Sequence, residues 1–123
     1  MNNEKEYIRH GFAAVRPYIY GHLDLPEFVK RAFGAHACRV PISSIKSMLG
    51  HTMGAASAIE AAVCCLALTH GFIPPTMNLE EPDPDCNLDY VPNQARQLRV
   101  SFAMNNAYAF GGTNAYLILK RIQ

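Results

Sequence analysis

One short stretch, Ser43 to Glu60 (SSIKSMLGHTMGAASAIE), gathers Lys46, His51 and Glu60. An imidazole can hold or donate a proton near neutral pH. A lysine supplies a compact positive charge, and a glutamate can pair with it. His51 follows Gly50 and precedes a helix of small residues, so it sits at the N-terminal end of that helix. The positive end of a helix dipole disfavours a second cation there. A neutral imidazole so placed can donate one N–H to an oxygen on which negative charge develops, the logic of an oxyanion hole. By residue type alone, a second reading stays open: His51 caps the helix, and Lys46 and Glu60 are solvated surface charges.

The elements that must position these groups are readable from pattern. Leu23 to Phe33 is predicted as a short helix, with Asp24 as N-cap, Pro26 in the first turn, Glu27 at the positive end of the dipole and Gly34 as the stop. Ala37 to Ser44 is predicted as a strand, with Pro41 marking an edge or the start of pairing. Gly54 to His70 is predicted as the strongest helix, apolar on most sides and therefore buried, and ended by Gly71. Its small first turns suit close approach of another backbone. Ile73 to Pro84 is a proline-rich connector ordered by packing. Leu88 to Pro92 is predicted as a short strand, 93–97 as a polar turn, and Leu98 to Met104 and Ala115 to Ile122 as strands of a hairpin-like pair around a Gly-Gly turn.

Composition bounds the function. The chain has 123 residues, half of them hydrophobic and 17% charged, so a packed core is expected. A net charge of +1 gives no electrostatic reason to expect nucleic acid or an anionic membrane as partner. The longest unbroken apolar run, Ala61 to Leu68, is far short of a membrane span, so none is expected. The polar N-terminus lacks the layout of a signal peptide, and cytoplasm is the default location. Cys38, Cys64, Cys65 and Cys86 show no CxxC or Cys/His ligand spacing. They read as small buried hydrophobes, and no metal site is expected.

Three segments in order, KSMLGHTMGAASAIE, IPPTMNLEEPDPDCNLDYVPNQAR and NNAYAFGGTNAYLIL, resemble the C-terminal half of a β-ketoacyl-(acyl-carrier-protein) synthase, in particular the elongating condensing enzymes of fatty-acid and type II polyketide synthesis. The resemblance implies an α/β fold: the second half of a thiolase-like αβαβα sandwich, a mixed sheet with a buried helix, here incomplete. Residues 23–123 would be the ketosynthase C-terminal domain. Residues 1–22 stay unassigned, as a disordered or aberrant N-terminal segment. The implied reaction is decarboxylative Claisen condensation of malonyl-acyl carrier protein with an acyl-enzyme thioester. It needs no bound cofactor, because substrates ride on the phosphopantetheine arm of the acyl carrier protein.

The same resemblance makes His51 the second of the family's two catalytic histidines. It makes Lys46 and Glu60 supporting residues, paired in the interior. Phe110, with Gly111 and Gly112, becomes oxyanion hole and acyl gate. Ala109 stands where the family has glycine and Tyr108 where phenylalanine is common, which bears on gate flexibility and chain-length preference. The nucleophilic cysteine and the first catalytic histidine, in a His-Gly-Thr-Gly-Thr motif, have no counterpart here. The region RPYIYGHLDLPEFVKRAFG echoes that motif only faintly, and His22 is not assigned to it. The implied partners are acyl carrier protein and a ketosynthase N-terminal half or full-length synthase, as homo- or heterodimer. A truncated gene product and one subunit of a split enzyme both fit. So does a non-catalytic binding or structural subunit that partners a ketosynthase.

Overall fold

The computed structural model describes residues 25–109 and 113–122. Residues 1–24, including the expected cap Asp24, and the stretch Phe110 to Gly112 lie outside the described residues. Helix α1, Leu25–Phe33, has Glu27 in its first turn and Lys30 and Arg31 in its last, each matching the sign of the dipole there. Arg31 donates to Glu27 one turn back, at 2.6 and 3.1 Å. Both side chains are largely exposed, so the pair contributes at most ~0.5 kcal/mol. Val29 is buried and Phe28 stacks on Tyr116, with ring centroids 6.0 Å apart.

Gly34, at φ 54, ends α1 in the left-handed region that glycine tolerates. A 3₁₀ turn, Gly34–Arg39, follows and buries Ala37. The strand expected over Ala37–Ser44 therefore does not form. Its first half is helical. Its second half runs extended, held by single bonds from Ile42 N–H to the Asp89 carbonyl (2.7 Å) and from Ser44 N–H to Thr76 Oγ1 (3.0 Å). A strand needs a ladder, and no described neighbour runs alongside to supply one.

Helix α2, Lys46–Leu49, is one turn long. Helix α3, Ala56–His70, begins after a 3₁₀ turn, Met53–Ala55, and ends on Gly71 at φ 71, whose N–H bonds the Ala67 carbonyl at 2.9 Å. The expected helix and its glycine stop both stand, with the start two residues later than expected. Short β1, Phe72–Ile73, pairs antiparallel with β2, Arg96–Gln97. The expected polar turn over 93–97 thus contains a strand. Leu88–Pro92 forms none: Pro92 makes one bridge to Thr76, while Tyr90 and Val91 are buried. Tyr90 joins Leu79 and Cys86 in a small core, with Ile42 and Leu88 packed against it.

The expected hairpin is present. Strands β3, Phe102–Tyr108, and β4, Asn114–Lys120, pair antiparallel in a register running from Phe102↔Lys120 to Tyr108↔Asn114. The Ala109 N–H bonds the Thr113 carbonyl at 2.9 Å across the turn. β3 packs on α3, and the Asn105 amide donates to the Ser57 carbonyl at 3.0 Å.

Coverage of α3 stops there. Only Ala56, Ala67 and Leu68 are buried on it, where the pattern predicted burial on most sides. Cys38 and Cys65 are exposed and Cys64 half-buried, so of the four cysteines only Cys86 sits in a core. The described chain provides one layer against α3, and the other side of an apolar helix faces solvent. The segment Met53–His70, at 18 residues and mean hydropathy 1.4, is long and apolar enough by length and composition to cross a membrane. An ion pair at Glu60 and the sheet contact at Ser57 instead tie it to neighbouring elements, as in the core helix of a layered fold.

Candidate active site

The site is built from a tight chain reversal. The one turn of α2 ends when Gly50, at φ 74, returns its N–H to the Lys46 carbonyl at 2.9 Å. A side chain at that φ would be strained, so glycine is what lets the chain swing His51 away from α2. Two residues on, Met53 adopts φ 50, uncommon for a non-glycine residue. That conformation aims the Met53 N–H at His51 Nδ1, 3.2 Å away. With Nδ1 accepting, a neutral imidazole carries its proton on Nε2. The ring is exposed, and its Nε2–H is the donor left to meet a substrate oxygen.

Lys46 and Glu60 are brought together: the lysine ammonium donates to the Glu60 carboxylate. Their side chains are 22% and 12% exposed, so the pair is mostly removed from water and each charge depends on the other. The pair forms part of a shallow cleft with Ile45, Leu49, Gly50, Thr52, Ala56 and Ile59. His51 sits on the rim, between two of these lining residues. Phe110, Gly111 and Gly112 lie outside the described residues, so their expected place beside His51 rests on the hairpin that carries them.

Pattern reading missed several residues that hold this loop. Ser47 Oγ donates to the Ser44 carbonyl (2.6 Å) and accepts the Met77 N–H (2.8 Å). Thr76 Oγ1 accepts the Ser44 N–H, and the Thr76 backbone bonds Val91 and Asn93, each at 2.9 Å. The Asn93 side chain closes the same knot, donating to the Leu79 carbonyl (2.7 Å) and accepting the Leu79 N–H (3.1 Å). The only signal in the sequence is Pro74-Pro75, which offers no N–H and leaves Thr76 as the first residue of the connector able to join a backbone network.

Electrostatics rule out one alternative. Burial, then the neighbouring Cys65 and Glu60, push the Cys64 thiol above its ordinary value. A thiol so placed is not an activated nucleophile. The Tyr108 hydroxyl is pushed up as well, by burial and then by Tyr116. Asp89 is held below the usual carboxylate range, chiefly by the Arg96 guanidinium that donates to it. Among the described residues no three His, Cys, Asp or Glu side chains cluster as a metal site would require.

Comparison with known proteins agrees with this geometry. Residues 26–80 match the family description "Beta-ketoacyl synthase, C-terminal domain". A 3-oxoacyl-(acyl-carrier-protein) synthase 2 of Coxiella burnetii is 48% identical over 94 residues, covering 76% of this chain and 23% of the relative. Among solved structures, a type II polyketide acyl-carrier protein in complex with its ketosynthase bound to the hexaketide superposes with TM-score 0.77 at 36% identity, over 80% of this chain and 24% of that one. The ishigamide ketosynthase/chain length factor superposes with TM-score 0.75 at 48% identity, with the same coverage. The chain thus spans about a quarter of the length of the relatives it matches. Its α/β fold is that of the C-terminal part of these enzymes, and by sequence and fold together the chain belongs to the β-ketoacyl synthase family as a portion of its C-terminal domain.

Proposed function

We propose that this chain supplies the malonyl-activating side of a ketosynthase active site whose remaining groups come from another polypeptide or another part of a longer one. In the reaction an acyl group passes from the phosphopantetheine thiol of acyl carrier protein to a cysteine thiolate. Malonyl-acyl carrier protein then binds. Its carbon–carboxylate bond breaks, carbon dioxide leaves, and the electron pair moves into an enolate. The enolate carbon attacks the acyl-cysteine carbonyl, the cysteine thiolate departs, and a 3-oxoacyl product remains on the carrier.

The observation that carries this reading is the Met53 N–H donated to His51 Nδ1. It leaves the Nε2–H to stabilise the thioester oxygen as the enolate forms, a preorganised donor aimed at developing charge. Lys46 and Glu60 act as supports that keep the loop ahead of His51 in place. The backbone N–H of Phe110 serves the oxyanion of the acyl-cysteine step, and Phe110 with Gly111 and Gly112 gates the acyl pocket. The reaction requires no metal or further cofactor. Acyl carrier protein and a ketosynthase bearing the missing cysteine and first histidine are the partners, in the cytoplasm. Residues 23–123 are the domain that serves this role.

A second reading has its own support. The exposed apolar side chains Phe102, Leu117 and Ile118 on the hairpin, with the likeness to a ketosynthase/chain length factor structure, favour a non-catalytic subunit that partners a ketosynthase. The test is to co-express the chain with its genomic neighbours that encode ketosynthase segments, purify any complex, and follow carbon dioxide release from malonyl-acyl carrier protein. Loss of release in His51→Ala supports the first reading. A stable complex whose release is untouched by His51→Ala supports the second. Condensation by the isolated chain would overturn both.

A further inference from the structure

The His51 loop has little of its own to hold it. Helix α2 is a single turn with no side-chain cap, and a turn of that length has no independent stability. Yet the residues on both sides of Lys46 are fixed, and the groups fixing them come from thirty residues downstream. Ser44 gives its backbone N–H to Thr76 Oγ1, and Ser47 Oγ takes the N–H of Met77 while donating to the Ser44 carbonyl. Both hydroxyls are therefore engaged inward. Thr76 is 1% exposed and is itself held through its backbone by Val91 and Asn93.

We propose that Ser47 and Thr76 are positioning residues for His51. Together they form a clip of two hydroxyls that sets the height and rotation of the Lys46–His51 segment against the 76–93 connector. The inference rests on the reading of His51 given above. Three independent anchors then converge on the loop. The Lys46–Glu60 pair ties it to α3, the Met53 N–H orients the ring, and the clip ties it to the connector. The first two allow the turn to pivot about the axis joining α2 and α3. The clip lies off that axis and removes the remaining freedom. A donor acting on developing charge loses effect steeply with displacement, and about 1 Å of misplacement can cost on the order of a hundredfold in rate.

The test uses the full chain in its complex. Thr76→Val keeps the shape and deletes the hydroxyl, and Ser47→Ala deletes the other. Thr76→Ser and Ser47→Thr keep a hydroxyl in place. Two readouts are followed in each: carbon dioxide release from malonyl-acyl carrier protein, and the imidazole tautomer and titration of His51 by nitrogen NMR on histidine-labelled chain. The expected result is about a tenfold or greater fall in release at unchanged KM in the two deletion variants, with a redistributed His51 tautomer, and recovery in the two conservative ones. Acyl transfer to the nucleophilic cysteine, which does not use His51, stays at the parent rate. Deletion variants with the parent tautomer and parent release overturn the clip. If parent release is itself insensitive to His51→Ala, the functional reading has failed, and the clip stands or falls on the tautomer alone.

Discussion

The described chain leaves ten large hydrophobic side chains between 39% and 93% exposed, among them Phe102 (58%), Ile118 (66%), Leu66 (49%) and Ile122 (93%). Full burial of such a side chain is worth about 1.5–3 kcal/mol, so each half-exposed one forgoes on the order of 1 kcal/mol. Together they forgo about 10 kcal/mol, comparable with the whole stability of an ordinary domain. The isolated chain is therefore expected to self-associate. The perturbation that isolates the cause is Phe102→Ser with Ile118→Thr. These side chains lie on one face of the hairpin, at β3 and β4, and both are exposed, so replacing them costs the free chain no more than about 0.5 kcal/mol. Size-exclusion chromatography with light scattering should show the parent chain as concentration-dependent oligomers and the double variant shifted toward monomer. Thermal unfolding of the variant should be no less cooperative than that of the parent. The same double variant should bind a ketosynthase partner more weakly, since the face it alters is then an interface. A parent chain that runs as a monomer at tens of micromolar (roughly the range where exposed apolar faces associate) and melts sharply would refute the reasoning.

Further outcomes follow from the site. Glu60→Gln leaves the mostly buried Lys46 ammonium without its counter-charge and should cost about 2–3 kcal/mol, between the value for exposed pairs and that for fully buried ones. A double-mutant cycle with Lys46→Met, read by urea unfolding of the complex, should return a coupling above about 1 kcal/mol, and simple additivity would contradict the pairing. Asp89 has a depressed folded pKa, so its contribution is present above its unfolded value of about 3.9 and is lost as pH falls through the lower folded value. Asp89→Asn should therefore remove part of the stability difference between neutral and strongly acidic solution, and an unchanged acid profile would count against the Arg96 pairing. Met53→Gly keeps the N–H and relaxes the positive φ, so carbon dioxide release should persist. Met53→Pro removes the N–H and forces a negative φ, and release should fall by at least about tenfold.

Local signals in the sequence carried the local structure. The helix through Ile59 and Val63 and its stop at Gly71 follow from period and glycine chemistry. The hairpin follows from two apolar runs around Gly111 and Gly112. The stretches around Val40 and Tyr90 look extended by residue type, yet ladders depend on a neighbour, and what lies beside Val40 is a connector that offers single bonds. Lys46 and Glu60 are fourteen residues apart, and their pairing was legible only through family resemblance. Residue type alone makes both look solvated. Ser47 and Thr76 gave no signal, because a hydroxyl bonded to a backbone group thirty residues away looks in sequence like any other.

The Ser44–Thr76 tie and the Thr76–Asn93 bond also set an order of assembly. Helix α3 and the β3–β4 hairpin are built from near neighbours in the chain and can form on microsecond timescales. The His51 loop cannot close until residues up to Asn93 have folded back against it, a non-local contact with a loop-closure cost to meet first. Mutations at Thr76 or Asn93 should therefore chiefly speed unfolding, while the folding rate should respond to α3 and the hairpin. In this chain the part that bears the chemistry is the last to arrive and the first to come loose.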